Sequence, residues 1–534
     1  MIGVIAKPAD HNVVSEFFEL FKTGWELFQR DRHYDVVISD GSVPLAEIDA
    51  RTVVLYSAQS APEDKHGKVA SKEPGCHKLQ YGDLELPIYD GVALFPSREQ
   101  SFLTDAECGQ PASYSEQDDE RTLLRVGYDL FSEVRFLLTR GQSVGQASIP
   151  ALEIHIALLR DLLITHGAPL VEIPPVPKGY KFIACLTHDM DHPSILCHKF
   201  DHTTAGFLYR AIFGSLINLA TGRGTFRQMM RNWWAAAKLP LVYLGLAKDF
   251  WLDFTRYVEL DRHPATFYFI PFKGKPGQLG AGSSPGRRAA GYDVGNLRPQ
   301  LEQLKSAKCE IALHGIDAWH NAARARQESQ RIQDVGGRPN GGVRMHWLYF
   351  DDQSPVTLES AGLNYDSTVG FNETIGYRAG TTQVYRPLNS SDLLELPLHV
   401  MDTALFYPTY LNLRHGEAME RVKAVIENAK RFGGCITINW HDRSIAPERC
   451  WDDFYEQLVQ ELETNGAWFS TAQDVVLWFR KRRAIEFGSG AAAPGIDEVD
   501  SQEIESAAPL QWRTYNVANA EYSASLSLEN TTAN

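Results

Sequence analysis

The segment Phe182–Pro193, with the sequence FIACLTHDMDHP, decides the fold prediction for this chain. It begins as a run of apolar residues typical of a buried strand and ends in His188, Asp189, Asp191 and His192. In a (β/α) barrel the carboxyl ends of the strands form one face, and that face carries the active site. The segment therefore predicts a buried strand with ionisable side chains at the mouth of a site.

Similar short apolar segments recur from residue 180 onward, between helical or loop segments. They are KFIACLTHD, ATFYFIP, CEIALHG, GVRMHWLYF, GLNYDSTVGF, DLLELPL and GCITINWHD. Strands that alternate with helices predict a parallel sheet or barrel of the α/β class. Such a sheet brings the polar residues at the strand ends to a single face.

Two carboxylates, Asp189 and Asp191, lie two residues apart at the first of these strand ends. Carboxylates this close ionise together only when a cation lies between them; otherwise one of them takes a proton. The pair predicts one metal ligand and one general base. The alternative is an Asx-type turn or a helix N-cap.

A second cluster, EIALHGIDAWHN, places His314 at a strand end and continues with Asp317 and His320. Nitrogen and oxygen donors in this combination suit zinc or another first-row divalent ion. The alternative for His314 alone is a buried histidine whose hydrogen bonds are satisfied and which binds no metal.

Two further strand ends carry Arg344, in GVRMHWL, and His441 with Asp442, in ITINWHD. A guanidinium group binds a carboxylate through two hydrogen bonds and fixes its protonation state. A histidine that a carboxylate orients is a good general acid. The alternatives are an ordinary salt bridge for Arg344 and a buried histidine bonded to backbone for His441.

The order of these clusters resembles the polysaccharide deacetylase family, also called the NodB-homology or carbohydrate esterase family 4 domain, over residues 180–483. THDMD is similar to the family's first motif, with Met190 between the two aspartates. GVRMHWL resembles the third motif without its following proline, YDST around Asp366 resembles the fourth, and INWHD resembles the fifth.

The second motif of this family has two histidines four residues apart. His314 matches the first of them, but position 318 is alanine. His320 or Asp317 is expected to substitute for the missing histidine, with His192 as a more distant candidate. Substitution by His320 requires a non-helical turn after Gly315, which glycine permits.

The resemblance implies a distorted (β/α) barrel that holds a divalent metal ion, with zinc as the expected ion, and removes the N-acetyl group of an amino sugar. The implied metal ligands are Asp191, His314 and His320, and the implied catalytic residues are Asp189 as base, His441 as acid, Arg344 to orient Asp189 and Asp442 to assist His441. Trp319, Trp347 and Asp366 are the expected substrate-binding residues. Core packing is the alternative for both tryptophans, and for Trp440 it is favoured.

Four regions are predicted along the chain. Residues 1–115 form a small α/β domain, 116–179 a helical connector, 180–483 the barrel and 484–534 an acidic, largely disordered tail. The tail holds eight acidic residues and one basic residue. The first domain lacks a GxGxxG turn, so dinucleotide binding is not supported there.

The overall charge of −15 makes nucleic acid an improbable partner, because an acidic surface repels phosphate backbones. Seven scattered cysteines without a CxxC pair predict reduced thiols in a cytoplasmic protein. The N-terminal residues show no secretory signal pattern, and no apolar run is long enough to span a bilayer.

Residues 202–240 reverse this charge locally, since they include five basic residues and no acidic one. Aromatic residues such as Trp233 and Trp234 lie between the basic ones. Such a segment can contact an anionic membrane surface, here the inner leaflet, or the phosphates of a lipid-linked sugar. The alternative is a helical lid on the barrel whose arginines pair with acids elsewhere.

Three functions remain open on these grounds. The first is a metal-dependent deacetylase of an N-acetylated sugar, lipid- or nucleotide-linked, in polysaccharide biosynthesis. The second is a deformylase or another C–N hydrolase of the same fold, and the third is a catalytically silent carbohydrate-binding protein. A stoichiometric divalent ion separates the third from the other two.

Overall fold

The structure, a computed structural model, describes residues 1–64, 69–96, 101–117, 121–279, 282–487 and 508–515. Its first part contains helices α1 (His11–Phe21), α2 (Leu130–Thr139) and α3 (Ala151–Thr165). The strands are β1 (Ile2–Ile5), β2 (Trp25–Leu27), β3 (Tyr34–Ser39), β4 (Ala50–Tyr56), β5 (Ala70–Lys72), β6 (His77–Tyr81), β7 (Leu84–Ile88), β8 (Val92–Leu94), β9 (Thr104–Asp105), β10 (Ser113–Gln117) and β11 (Thr122–Val126).

Six of these strands form one sheet in the order β10-β11-β4-β3-β1-β2. Its neighbouring strands are parallel except for β10 and β11, which run antiparallel. The sheet extends beyond the predicted boundary at residue 115, because the apolar residues of β11 pair with β4. Helices α2 and α3 pack into the same apolar core, so residues 116–165 belong to the first α/β unit rather than to a separate connector.

The second part of the chain contains α4 (His202–Tyr209), α5 (Ser215–Ala220), α6 (Phe226–Tyr243), α7 (Phe254–Asp261), α8 (Arg298–Ser306), α9 (Ala322–Gln333), α10 (Ser354–Ser360), α11 (Asp402–Phe406), α12 (His415–Phe432), α13 (Asp452–Thr464) and α14 (Ala472–Arg483). Its strands are β12 (Leu170–Glu172), β13 (Phe182–Met190), β14 (Thr266–Phe269), β15 (Gln278–Leu279), β16 (Gly282–Ser283), β17 (Glu310–Gly315), β18 (Gly342–Met345), β19 (Tyr365–Asp366), β20 (Leu394–Glu395), β21 (Val400–Met401), β22 (Cys435–Asn439), β23 (Ala467–Phe469) and β24 (Arg513–Tyr515).

A second, parallel sheet follows the order β20-β19-β18-β17-β14-β13-β22-β21, and β23 also pairs with β13. Its two outermost strands, β20 and β21, are separated in the chain by only residues 396–399. The sheet therefore curls until its edges approach each other. The predicted fold class, a distorted parallel α/β barrel after a smaller α/β unit, is confirmed.

Strand β13 is buried along its whole length. Phe182, Ala184 and Leu186 pack into one apolar cluster, while Ile183 and Cys185 pack into another that includes α14. Successive side chains of a strand point to opposite faces, so both faces of β13 are covered. This explains why its sequence is a continuous apolar run instead of an alternating one.

Part of the acidic tail is ordered against the rest of the chain. Strand β24 pairs antiparallel with β12, and the amide of Lys178 donates to the carbonyl of Pro509 at 2.9 Å. The rest of the predicted disordered tail, residues 488–507 and 516–534, lies outside the described residues. None of the described helices has both the length and the apolar composition needed to cross a bilayer.

Candidate metal centre and active site

The carboxyl ends of the parallel strands meet around one cavity of about 710 Å³. Asp189 lies near the end of β13, and His314 and Arg344 are paired in register at the ends of β17 and β18. Strand β22 leads into His441, and β21 leads into Asp402. Asp189, His314 and His441 line the cavity together, as the sequence predicts.

Asp191, His314 and His346 present three ligand atoms to one another. The Oδ1 atom of Asp191 lies 3.3 Å from Nε2 of His314 and 3.2 Å from Nδ1 of His346, and the two nitrogens are 3.1 Å apart. Donor atoms held at about 2.0–2.1 Å from a tetrahedral ion are separated by roughly 3.3 Å. The three atoms therefore fit the coordination sphere of one small divalent ion.

Two further observations support this fit. The Nδ1 atom of His314 lies 2.9 Å from the carbonyl oxygen of Arg344, to which it donates, so Nε2 turns a lone pair toward Asp191. The Oδ1 atom of Asp191 is buried and accepts no hydrogen bond.

His320, the predicted third ligand, lies elsewhere. Its Nε2 atom is 3.3 Å from Oδ1 of Asp317, and that carboxylate accepts the amide of Gln278 at 2.8 Å. The segment after Gly315 is fixed by Glu328, which accepts the amides of residues 316 and 317 at 2.9 Å each. The structure thus brings His346, and neither His320 nor Asp317, to Asp191 and His314.

Asp189 is buried and firmly held. Its Oδ1 atom accepts Nη1 of Arg344 at 3.1 Å, and its Oδ2 atom accepts Nδ2 of Asn439 at 2.7 Å. Burial raises the pKa of Asp189, but the nearby His314, Arg344 and His441 outweigh burial and lower it below its usual value. The group is therefore an ionised carboxylate with one side still open to the cavity.

His441 pairs with Asp402 and not with Asp442. Its Nδ1 atom donates to Oδ1 of Asp402 at 2.6 Å, and its amide donates to Oδ2 of the same carboxylate at 2.7 Å. Burial lowers the pKa of His441, but Asp402 outweighs burial and raises it to about 10. Asp442 instead accepts the amide of His192 at 2.5 Å, and burial raises its pKa to about 7.

The predicted substrate-binding residues separate into two groups. Trp347 lines the cavity, half-buried, with the Arg287 guanidinium 5.4 Å above its ring. Trp319 and Trp440 are buried, and Trp440 stacks on Phe454 with centroids 5.8 Å apart. Asp366 is also buried and is bonded by the Thr368 hydroxyl, away from the cavity lining.

Three residues of the candidate site were not predicted from the sequence. His346 lies within the quoted segment GVRMHWL, two residues after Arg344, and its place at a strand end is a usable signal. Asn439 likewise lies in the quoted INWHD segment. Asp402 follows a strand of only two residues, which carries no recognisable pattern.

No family model and no curated protein matches the chain. Among solved structures, Agd3, a carbohydrate deacetylase, is 8% identical with a TM-score of 0.35, and the match covers 90% of this chain and 87% of that one. The polysaccharide deacetylase Bc1974 from Bacillus cereus is 12% identical with a TM-score of 0.26, covering 54% and 91%. The peptidoglycan deacetylase PdaC from Bacillus subtilis is 13% identical with a TM-score of 0.25, covering 57% and 94%.

These proteins belong, by their names, to the class of enzymes that the sequence motifs resemble. At such low identity and TM-score, the activity of this chain has to be inferred from its own side chains.

Proposed function

We propose that the chain is a metal-dependent hydrolase that removes the N-acetyl group of an amino sugar. One observation carries this proposal: a three-donor cation site, an ionised carboxylate and a histidine held by a second carboxylate converge in one cavity. Amide hydrolysis needs all three, because the carbonyl must be polarised, water must lose a proton and the leaving amine must gain one.

The cation site consists of Asp191, His314 and His346, and its nitrogen and oxygen donors favour zinc. A divalent ion bound there would polarise the acetamide carbonyl and offset the negative charge that develops on its oxygen. His346 supplies the third donor that the sequence motif lacks. The catalytically silent alternative, which rested on that gap, thereby loses its main support.

Asp189 is the proposed general base. The Arg344 guanidinium and the Asn439 amide hold its carboxylate in one orientation and keep it ionised at neutral pH. The carboxylate accepts a proton from water as the water oxygen forms a bond to the acetamide carbon. Arg344 acts through Asp189 and is a positioning residue.

His441 is the proposed general acid, and Asp402 takes the orienting role that the sequence analysis gave to Asp442. Asp402 accepts the Nδ1 proton, so the other ring nitrogen is free to protonate the amide nitrogen as the C–N bond breaks. The products are acetate and a free amino sugar. Trp347, on the cavity wall, is the proposed stacking surface for the sugar ring.

The direct test is acetate release from a panel of N-acetylated sugars by protein of known zinc content, with formylated analogues as a second arm. We expect acetate release that chelation abolishes and zinc restores. Formate release without acetate release would favour the deformylase. A protein that binds sugars but holds no stoichiometric metal and releases neither acid would overturn the hydrolase proposal.

We further propose that residues 202–246 contact an anionic bilayer at the cytoplasmic surface, and that the sugar is lipid- or nucleotide-linked. Helices α4 to α6 and the turn after them carry exposed apolar side chains, including Trp234 at 63% and Leu246 at 73% exposure. Arg227 and Lys238 lie among them, and Arg231 anchors the insertion to Asp452 at 2.9 Å. The seven cysteines are free, which fits a reducing compartment.

Vesicle flotation tests this contact. The protein should float with vesicles that contain phosphatidylglycerol and remain unbound with neutral ones, and the double variant Trp234→Ser/Leu246→Ser should not float. The matched control is Leu279→Ser, which removes an exposed apolar side chain outside the insertion. If the double variant floats as well as the unmodified protein, the insertion is a lid on the barrel and not a membrane contact.

A further inference from the structure

Three arginines line the cavity on the same side as His441: Arg210 from the π-helical turn Arg210–Gly214 between α4 and α5, together with Arg443 and Arg449. Neither the metal centre nor the base requires them. Within the described part of the chain, no carboxylate lies within 4.0 Å of any of these guanidinium groups. Asp402, Asp442 and Glu448 act on these guanidinium groups only at longer range, so none of the three arginines has a direct ion pair and the cavity can accept an anion beside them.

The hydrogen bonds of these arginines are incomplete. The Nε atom of Arg210 is buried and has no partner among the described residues. Arg443 lies 5.1 Å above the ring of Trp251 and forms no hydrogen bond through its side chain with a described residue. Arg449 donates only to uncharged oxygens, the hydroxyls of Tyr407 at 2.5 Å and Ser444 at 3.4 Å.

The nearby carboxylates Asp402 and Asp442 have other partners, whereas Oε1 of Glu448 is buried without a hydrogen-bond partner among the described residues. Asp402 pairs with His441 and Ser444, and Asp442 accepts the amide of His192. One oxygen of Glu448 accepts Nε1 of Trp251 at 3.3 Å. Burial and the neighbouring Arg449 lower the pKa of Arg443, as expected where like charges are crowded together.

We infer that Arg210, Arg443 and Arg449 form a subsite for a phosphate or pyrophosphate ester carried by the N-acetylated sugar, a conclusion that rests on the proposed deacetylase function. Several guanidinium groups around one point match the charge and the tetrahedral oxygens of a phosphate better than those of a single carboxylate. The substrate is then an activated sugar and not a neutral polysaccharide.

The position of the subsite also indicates where the phosphate is attached. Arg449 bonds Ser444, Ser444 bonds Asp402 and Asp402 bonds His441, so a short chain of hydrogen bonds links the subsite to the general acid. His441 protonates the leaving amine. A phosphate bound beside it belongs on a carbon next to the one that bears the amine. In a 2-acetamido sugar these carbons are C1 and C3, and C1 is the one that carries the phosphate of an activated sugar.

The test compares holoenzyme acting on N-acetylglucosamine, its 1-phosphate, a nucleoside-diphosphate derivative, a polyprenyl-pyrophosphate derivative and a 2-acetamido uronic acid. Arg443→Gln should raise KM for the phosphorylated sugars at least about tenfold and leave kcat and the neutral sugar unchanged. Arg210→Gln should act in the same way. Arg298→Gln is the matched control, because it removes the same charge from an exposed position outside both the cavity lining and the insertion.

The two diphosphate arms distinguish a nucleotide carrier from a lipid carrier. A preference for the uronic acid, or equal effects of Arg443→Gln on neutral and phosphorylated sugars, would overturn the phosphate subsite. Calorimetry with inorganic pyrophosphate on metal-free Asp191→Asn protein tests the subsite separately from catalysis. Pyrophosphate binding to Asp191→Asn that is lost in the Asp191→Asn/Arg443→Gln double variant supports the subsite even if no sugar is hydrolysed. Absence of pyrophosphate binding to Asp191→Asn itself contradicts the subsite.

Discussion

Two arginines, Arg125 in the first sheet and the half-buried Arg443 beside the cavity of the second, differ in how their side chains are bonded. In the first sheet Arg125 donates to the carbonyl oxygens of Ser57 at 2.7 Å and Gln59 at 2.6 Å, and its Nε atom donates to Asp64 at 3.2 Å. At the mouth of the second sheet, Arg443 has no such partner among the residues that the structure describes. The same side chain is thus fully bonded in one place and available to a ligand in the other.

The difference between Arg125 and Arg443 distinguishes polar side chains that stabilise the fold from those that are available to a ligand. A polar group that serves stability has its hydrogen bonds satisfied within the protein, because an unsatisfied one costs free energy. Asp191 and Arg210 break this rule beside the same cavity. Their unpaired atoms lie where the proposed cation site and the proposed anion subsite need them.

The largest effect is expected for Asp189→Asn, which removes the base and keeps the size of the side chain. We expect kcat to fall about 10³-fold, within the roughly 10²–10⁴ that general bases contribute. Acetate release provides the measurement, and unchanged zinc stoichiometry is the control. Activity above about a tenth of that of the parent protein would assign the base to another residue.

The next effect concerns the third metal ligand. His346→Gln should weaken zinc binding by more than tenfold, since even residues outside the coordination sphere contribute roughly 10–100-fold. His320→Gln is the matched control and should retain the metal, because His320 bonds Asp317 instead. Zinc content after dialysis measures both, and loss of zinc from the control alone would restore His320 as the ligand.

The comparison of arginines predicts opposite consequences for stability. Arg125→Gln leaves Asp64 buried without its cation and should lower the free energy of unfolding by about 3–5 kcal/mol, while kcat per folded molecule stays constant. Arg443→Gln should leave the free energy of unfolding nearly unchanged. Urea denaturation measures both variants, and equal destabilisation would mean that Arg443 is a structural residue.

A smaller, pH-dependent effect is expected for Asp402→Asn. Without the carboxylate, the pKa of His441 should fall from about 10 toward the ordinary value near 6.5. The general acid would then lose its proton as the pH rises above about 7, and activity at pH 8 should fall roughly tenfold or more. The pH–rate profile shows this, and Asp442→Asn should keep the basic limb of the parent protein.

The same pair has a defined effect on stability. The pKa of His441 is raised in the folded state, so its contribution is fully present below about pH 6.5 and is lost as the pH rises through about 10. The Asp402→Asn variant should therefore lose most stability in mildly acidic solution. Its melting temperature should approach that of the parent protein above about pH 10. A constant difference between the two at every pH would contradict the charged pair.

The strands of the second sheet and their ionisable ends could be predicted from the sequence, because a short apolar run that stops at a cluster of ionisable residues is typical of a buried strand leading into a site. The proposed roles of Asp402 and His346 could not be predicted, since neither follows from spacing along the chain. Asp402 comes after a two-residue strand, and His346 lies just before a turn in which Trp347 and Leu348 have φ angles of 65° and 54°. Likewise, the sequence predicts a helical connector for the segment TLLRV, whereas the structure pairs this segment with β4 as strand β11. A long-range contact therefore decides its conformation, and no local pattern indicates it.

By itself, the sequence determined which residue types end the buried strands, since that depends only on local hydrophobic patterning. Tertiary structure alone decided which of those residues meet: His346 and not His320 lies beside Asp191 and His314, and Asp402 and not Asp442 pairs with His441. The reason is physical, since coordination and proton transfer depend on distances of a few ångströms between atoms far apart in the chain. Curling of the parallel sheet sets those distances, and no local pattern records them.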